Sequence, residues 1–156
     1  MAPTTGRPHI PGYGVPDDLD GTLPWSWAEA RLTAAYRYWI ATTTPAGAPH
    51  VRPLWGVWVA DRLVFSTSPT NVTSRDLATN RRVSATLQAD HDSVIVEGTA
   101  AQGMVEGAGA AYTTKYGPEY EVGGDDTPLW IITPRFVFGF VDDGSGFGRT
   151  ATRWEF

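Results

Sequence analysis

From Tyr38 to Val141 the sequence is a series of short β-prone runs separated by turn residues, with no β-α-β alternation that could build a parallel sheet. This pattern predicts a mainly β chain of the α+β kind, an antiparallel barrel with peripheral helices, and argues against a doubly wound nucleotide fold. The runs are Tyr38–Thr43, Val51–Val59, Leu63–Thr67, Val83–Leu87 and Ser93–Gln102, followed by a last pair, Leu129–Ile132 and Phe136–Val141. Ser93–Gln102 is expected to bend near Gly98, where a strand has no side chain to pack. Trp25, Ala28, Leu32, Ala35 and Trp39 recur at helical spacing behind Pro24, which predicts an amphipathic helix over 25–39. Shorter helices are predicted over Asn71–Asn80 and over Gly107–Tyr116, the latter ended by Gly117-Pro118. Glu119–Asp126 carries no order signal.

The 156 residues are 42% hydrophobic, enough for one core. Seven Trp, six Tyr, six Phe and no Cys mean that burial, not disulfides or thiolate metal sites, must hold that core together. Residues 1–22 are rich in Pro, Gly and Asp and are read as a flexible arm ahead of a domain over 23–156; Ile10 and Tyr13 leave open that the arm wraps over a partner. A formal net charge of −5 repels polyanions, which argues against nucleic acid as a partner. No apolar run approaches the ~20 residues of a membrane span, and the start lacks the apolar stretch of a secretory signal, so the expected location is the cytoplasm with no membrane partner.

Most familiar catalytic kits are missing. His9, His50 and His91 lie far apart and lack zinc-ligand spacing, so no metal is expected. No Gly-x-Ser-x-Gly elbow and no phosphate loop of the Gly-x-x-x-x-Gly-Lys type occur, and Gly144-Ser-Gly-Phe-Gly148 follows no strand-to-helix crossover. A bound cofactor is then the better source of any activity, and no catalytic side chain is singled out.

The ordered segments Pro49-His-Val-Arg-Pro-Leu-Trp-Gly-Val-Trp58, Leu63-Val-Phe-Ser-Thr67, Ser74-Arg-Asp-Leu77 and Asn80-Arg-Arg-Val83 resemble the FMN-binding split-barrel family related to pyridoxamine 5'-phosphate oxidase. Val94-Ile-Val-Glu-Gly-Thr99 and Gly148-Arg-Thr-Ala-Thr-Arg-Trp-Glu-Phe156 look like the actinobacterial branch that often uses the deazaflavin coenzyme F420. The resemblance implies a Greek-key split β-barrel, a homodimer with the cofactor in a cleft between subunits, and a small-molecule substrate. It implies an oxidoreductase that moves a hydride between bound F420, or FMN, and a small conjugated acceptor. A non-catalytic binder of flavin, deazaflavin, haem or another tetrapyrrole is the alternative. A pyridoxamine-phosphate oxidase proper ranks third, because the sequence ends at Ala151-Thr-Arg-Trp-Glu-Phe156 without that enzyme's Arg-rich tail.

Carried over by position, Arg52, Pro53, Leu54 and Trp55 would meet the ring, and Ser66, Thr67, Ser68, Thr73, Ser74 and Arg75 the phosphate. Trp130, Arg153 and Trp154 would come from the partner side. The forked donors of Arg75 at a helix start suit a phosphate. Many family members have a lysine where this chain has Thr73, and an amide where it has Asp76. Loss of that charge-assisted contact costs about 1.5–3 kcal/mol. Trp55 and Trp58 either pack the interior or meet a ligand, Arg52, Arg81 and Arg82 either form a solvated face or reach the anionic tail, and His50 reads as a hydrogen-bonded turn residue. Tyr112, Lys115 and Tyr116 read as ordinary helix residues that a substrate pocket could also use.

Overall fold

Strand β8 (Leu129–Val141) is the spine of the molecule. Along one edge it pairs over its full length with β7 (Asp92–Gln102); along the other, its first half pairs with β5 (Arg62–Ser66) and its second with β9 (Thr152–Glu155). From β7 the antiparallel sheet continues through β6 (Arg82–Ala89) and β2 (Tyr38–Thr43) to the edge strand β3 (Pro49–Leu54), and β4 (Gly56–Val59) pairs with β5. The two ends of this path, β3 and β4, are unpaired with each other and joined covalently at Trp55. The result is a barrel split at that seam, as expected. The fold is seen in a computed structural model that describes residues 2–124, 127–144 and 146–156.

Alternation fills the barrel. Leu63 and Phe65 of β5, Val83, Ala85 and Leu87 of β6 and Val94 and Val96 of β7 all point to one interior, and each is at most 6% exposed. Helix α1 (Trp25–Ala34) adds Ala28 and Leu32 to that cluster, and Trp154 of β9 closes it at 0% exposure. Val64, on the other face of β5, joins Val57, Leu129, Tyr112 and Tyr116 in a second cluster under α3 (Ala108–Tyr116). Helix α2 (Val72–Thr79) follows β5 directly, and α4 (Phe147–Thr150) precedes β9.

The bend at Gly98 occurs as the sequence suggested, and its cause is steric. The β7–β8 register shifts between Glu97 and Gly98, Gly98 faces Pro134, and a Cβ there would lie 2.1 Å from the Thr133 carbonyl oxygen.

Four sequence expectations are corrected. The first helix ends at Ala34, not Trp39, because Tyr38, Ile40 and Thr42 alternate as buried residues and are taken into β2. The single strand over 51–59 is two strands that part at Trp55. The last pair of strands is one continuous strand: Pro134 sits at the bulge, where its missing N–H costs no ladder bond. The arm is laid on its own chain. Its segment β1 (Thr4–Gly6) pairs with β9, and the Arg7 guanidinium donates to the carbonyls of Asp18, Asp20, Arg149 and Ala151. Met1 lies outside the described residues, as do Asp125 and Asp126 of the stretch without order signal and Ser145 of the glycine-rich segment. Among the described residues no helix is long and apolar enough to cross a membrane.

Candidate functional site

The loop leaving β5 is built from its own hydroxyls. Asn71 Nδ2 donates to Thr67 Oγ1 at 2.7 Å, Ser68 Oγ meets Thr70 Oγ1 at 2.9 Å, and Asn71 N–H closes the turn on the Ser68 carbonyl. Helix α2 then turns Thr73, Ser74, Asp76 and Leu77 inward and leaves Arg75 exposed. Asp76, 2% exposed, accepts from Thr42 Oγ1 at 2.7 Å and has His50 Nδ1 3.4 Å away, a contact that is an ion pair when the imidazole is protonated. Through these bonds β2 and β3 fix the roll of α2 about its axis, and with it the aim of Ser74 and Arg75.

On the open side of α2, Trp130 of β8 donates its indole N–H to Ser74 Oγ at 3.2 Å. Beside this pair is a cavity of about 520 Å³ whose polar lining is Ser74, Arg75, Arg81 and Gln102, with Trp130 as the aromatic wall. Among the described residues no carboxylate lines it. Because the Ser74 oxygen already accepts from Trp130, its own proton remains available to donate.

Of the residues singled out from sequence, Ser74, Arg75 and Trp130 meet at this cavity. Thr73, Thr67 and Ser68 do not line the cavity; Thr67 accepts from Asn71, and Ser68 shares a hydrogen bond with Thr70 within the preceding loop. Ser66 Oγ reaches the Pro128 carbonyl at 3.4 Å. Arg52 and Pro53 are exposed and Leu54 half-buried on the edge strand β3, and none of them lines the cavity.

Trp130 lines the cavity beside Ser74 and Arg75 of its own chain, and one assignment changes. Trp154 is wholly buried beside Trp25, with ring centroids 5.5 Å apart, and presents no surface to a ligand. Arg153 lies across Phe136, its guanidinium carbon 5.5 Å from the ring centroid. It pairs with Phe138 of β8, eight residues from Trp130, or roughly 26 Å along a strand. Composition could not reveal this, because β8 was read as two strands and its far end could not be placed. Arg81, one of the arginines open to reaching an anionic tail, lines this cavity, whereas Gln102 was missed, since it meets Arg75 only through the end of β7.

A second corner is aromatic and closed. Trp55 stacks on Tyr116 with centroids 4.5 Å apart and planes 1° from parallel, and Tyr36 and Tyr120 stand edge-on to it. Trp58 faces the other way, into the barrel against Trp25. Tyr116 Oη donates toward the carbonyls of Tyr36 and Gly56 and accepts from Gly56 N–H, and burial raises its pKa, with Tyr36 adding to the rise. Tyr38 donates a short hydrogen bond to the Leu32 carbonyl, and burial raises its phenol too, with Tyr116 a lesser cause. Tyr112 is pushed up to about 12, again by burial first and Tyr116 second. Lys115 Nζ lies 3.1 Å from the Gly56 carbonyl, 3.3 Å from that of Thr33 and 5.3 Å from the Tyr38 ring centroid. Burial lowers its pKa to about 8.

Among the described residues no group of three or more His, Cys, Asp or Glu is placed to hold a metal.

A sequence profile described as pyridoxamine 5'-phosphate oxidase matches residues 27–135. No curated protein matches the chain. Solved structures share its fold. A haem-binding protein from Mycobacterium smegmatis is 22% identical with a TM-score of 0.65, over 78% of this chain and 56% of its own, so this chain spans little more than half of that relative. An F420 reductase is 23% identical with a TM-score of 0.58, over 70% of this chain and 94% of its own. A putative pyridoxamine 5'-phosphate oxidase from Listeria innocua is 13% identical with a TM-score of 0.60, over 72% of this chain and 94% of its own.

Proposed function

The chain belongs to the pyridoxamine 5'-phosphate oxidase family, and from that premise we propose that it binds a phosphate-bearing flavin or deazaflavin and acts as an oxidoreductase on a small conjugated acceptor. Coenzyme F420 is the first candidate and FMN the second. One observation carries the reading: the cavity beside α2 gathers a hydroxyl donor, an exposed arginine and an aromatic wall with no competing carboxylate among the described residues. These groups fit a phosphate ester. Arg75 supplies charge and forked donors, Ser74 supplies a neutral donor, and the Asp76–Thr42–His50 bonds keep both aimed at one place.

When bound, the ring system supplies the hydride chemistry. This chain's residues then have three tasks. They hold the anion at α2, offer the β3 backbone and the faces of Pro53 and Leu54 to the ring, and keep water from the reacting face. The β3 edge that would do this has no strand partner among the described residues. Trp39 and Val51 are 46% and 45% exposed on the outer face of β2 and β3, and in register Trp39 faces Pro53 and Ala41 faces Val51. This apolar strip is where a second copy would dock to form the homodimer and close the cleft.

Carriage of a haem or tetrapyrrole is the second reading, because the M. smegmatis relative is a haem-binding protein. The cavity weighs against it, since among the described residues no histidine, methionine or tyrosine lines it as an axial ligand. Turnover separates enzyme from carrier. The purified protein is given reduced F420 or reduced FMN with quinones, unsaturated ketones and tetrapyrroles. The proposal expects oxidation of the cofactor to quicken with at least one acceptor, and binding without turnover across all of them would reassign the protein as a carrier.

A further inference from the structure

The aromatic corner under α3 is closed to ligands but not to electrons. Trp55 touches three tyrosine rings there: Tyr116 stacked at 4.5 Å, Tyr120 edge-on at 5.0 Å and Tyr36 edge-on at 5.9 Å, centroid to centroid. The chain has no cysteine, so no thiol can take up a radical, and its indoles and phenols are the groups that lose one electron most readily. The three tyrosines differ in the fate of the phenol proton, which must leave when the electron does. Tyr116 Oη is closed on the carbonyls of Tyr36 and Gly56 at 2.7 and 2.8 Å, and neither carbonyl can take a proton. Burial already raises its pKa. Tyr36 and Tyr120 are 52% and 42% exposed, and among the described residues neither phenol oxygen is hydrogen-bonded, so water can take their protons. Tyr116 therefore stays reduced, and the two exposed phenols are where an oxidation can settle.

We propose that Trp55, Tyr36 and Tyr120 form an exit for one-electron oxidising equivalents, which carries them from the indole at the β3–β4 seam to the protein surface. The oxidant takes one electron from the Trp55 indole. Tyr120 or Tyr36 then returns an electron to the indole and gives its proton to water. Trp55 is left intact, and a neutral phenoxyl radical stands at the surface. A small reductant in solution, a thiol or ascorbate, restores the phenol by giving it a hydrogen atom. The oxidant is of the class that a flavin becomes under light or as a radical. The exit goes beyond the cofactor reading, because it needs only such an oxidant, whatever its source.

The test exposes the full chain to tris(bipyridyl)ruthenium(III), a one-electron oxidant made by light, and maps the lesions by peptide mass spectrometry. Trp27 is the internal reference, since it is half-buried, as Trp55 is, and touches no tyrosine ring among the described residues. The dose is set so that Trp27 is partly oxidised. In the wild type, lesions should gather on Tyr36 and Tyr120, and Trp55 should be spared relative to Trp27. The double variant Tyr36→Phe with Tyr120→Phe keeps the rings that cover Trp55 and removes only the phenols. Its melting temperature should hold, while the ratio of Trp55 to Trp27 lesions rises several-fold. A ratio that stays low in the double variant would show that the rings merely shield Trp55. Trp55 oxidised as heavily as Trp27 in the wild type would show that no exit operates. Either result overturns the proposal and leaves the cofactor reading untouched.

Discussion

Lys115 and the cavity arginines Arg75 and Arg81 are cations on the same barrel, and the chain treats them in opposite ways. Around Lys115 the protein provides the answer itself: two backbone carbonyls, the Tyr38 hydroxyl at 3.5 Å and two aromatic faces surround the ammonium. Around the arginines it provides a cavity, a hydroxyl with a proton to give and, among the described residues, no anion. Both regions hold aromatic and polar groups, so composition alone does not tell them apart. What separates them is whether the polar groups are used up. The corner under α3 is internally satisfied and therefore structural, and the cavity beside α2 is left open for something that the chain does not contain.

The sharpest way to break this contrast is at the closed corner. Tyr116→Ala removes the stack on Trp55 and leaves the Gly56 N–H without its partner. A loss of about 3–5 kcal/mol in unfolding free energy is expected, read by denaturant titration, and a loss below 1 kcal/mol would show that this corner does not bear on the fold. Next in size is Arg75→Ala. It should weaken flavin or deazaflavin binding by about 1.5–3 kcal/mol while stability stays within about 0.5 kcal/mol, because the side chain is exposed and unpaired. Equal damage to stability and binding would make Arg75 a structural residue.

The smallest effect is also the most specific. Lys115 is the only lysine in the chain and its pKa falls from 10.5 to about 8 in the folded state. Between those values the unfolded chain binds more protons than the folded one, so stability should rise as the pH climbs from about 8 toward 10. Above that range the buried tyrosines, whose pKa values are raised, reverse the slope, because the folded state keeps protons that the unfolded chain gives up. Lys115→Met should flatten the rise in melting temperature between pH 7.5 and 9.5, and an undiminished rise would place its origin elsewhere.

Much of the fold was written in local pattern. Alternation marked the barrel strands, and a glycine inside a β-branched run marked the bulge at Gly98. Pro134 misled because proline signals a turn in isolation, and only the partner strand shows that it faces a bulge instead. Trp154 misled in a related way: carried over from the family resemblance as a residue that meets the ligand, it is taken into the core by the pairing of β9 with β8. The site was half legible. Ser74 and Arg75 follow a strand and start a helix, which is a local arrangement, whereas Arg81, Gln102 and Trp130 reach the same cavity from three later segments. The Asp76–His50 contact joins residues 26 positions apart, and it becomes visible only when α2 lies across β2 and β3.

The account turns on an anionic, ring-bearing ligand held at the cavity beside α2. The direct measurement is the absorption spectrum of protein purified from a host that makes flavins and F420, followed by titration of the emptied protein with each. A flavin or deazaflavin spectrum in the wild type, lost on purification of Arg75→Ala, is the predicted result. Wild-type protein that emerges colourless and takes up neither FMN nor F420 at high concentration would contradict it.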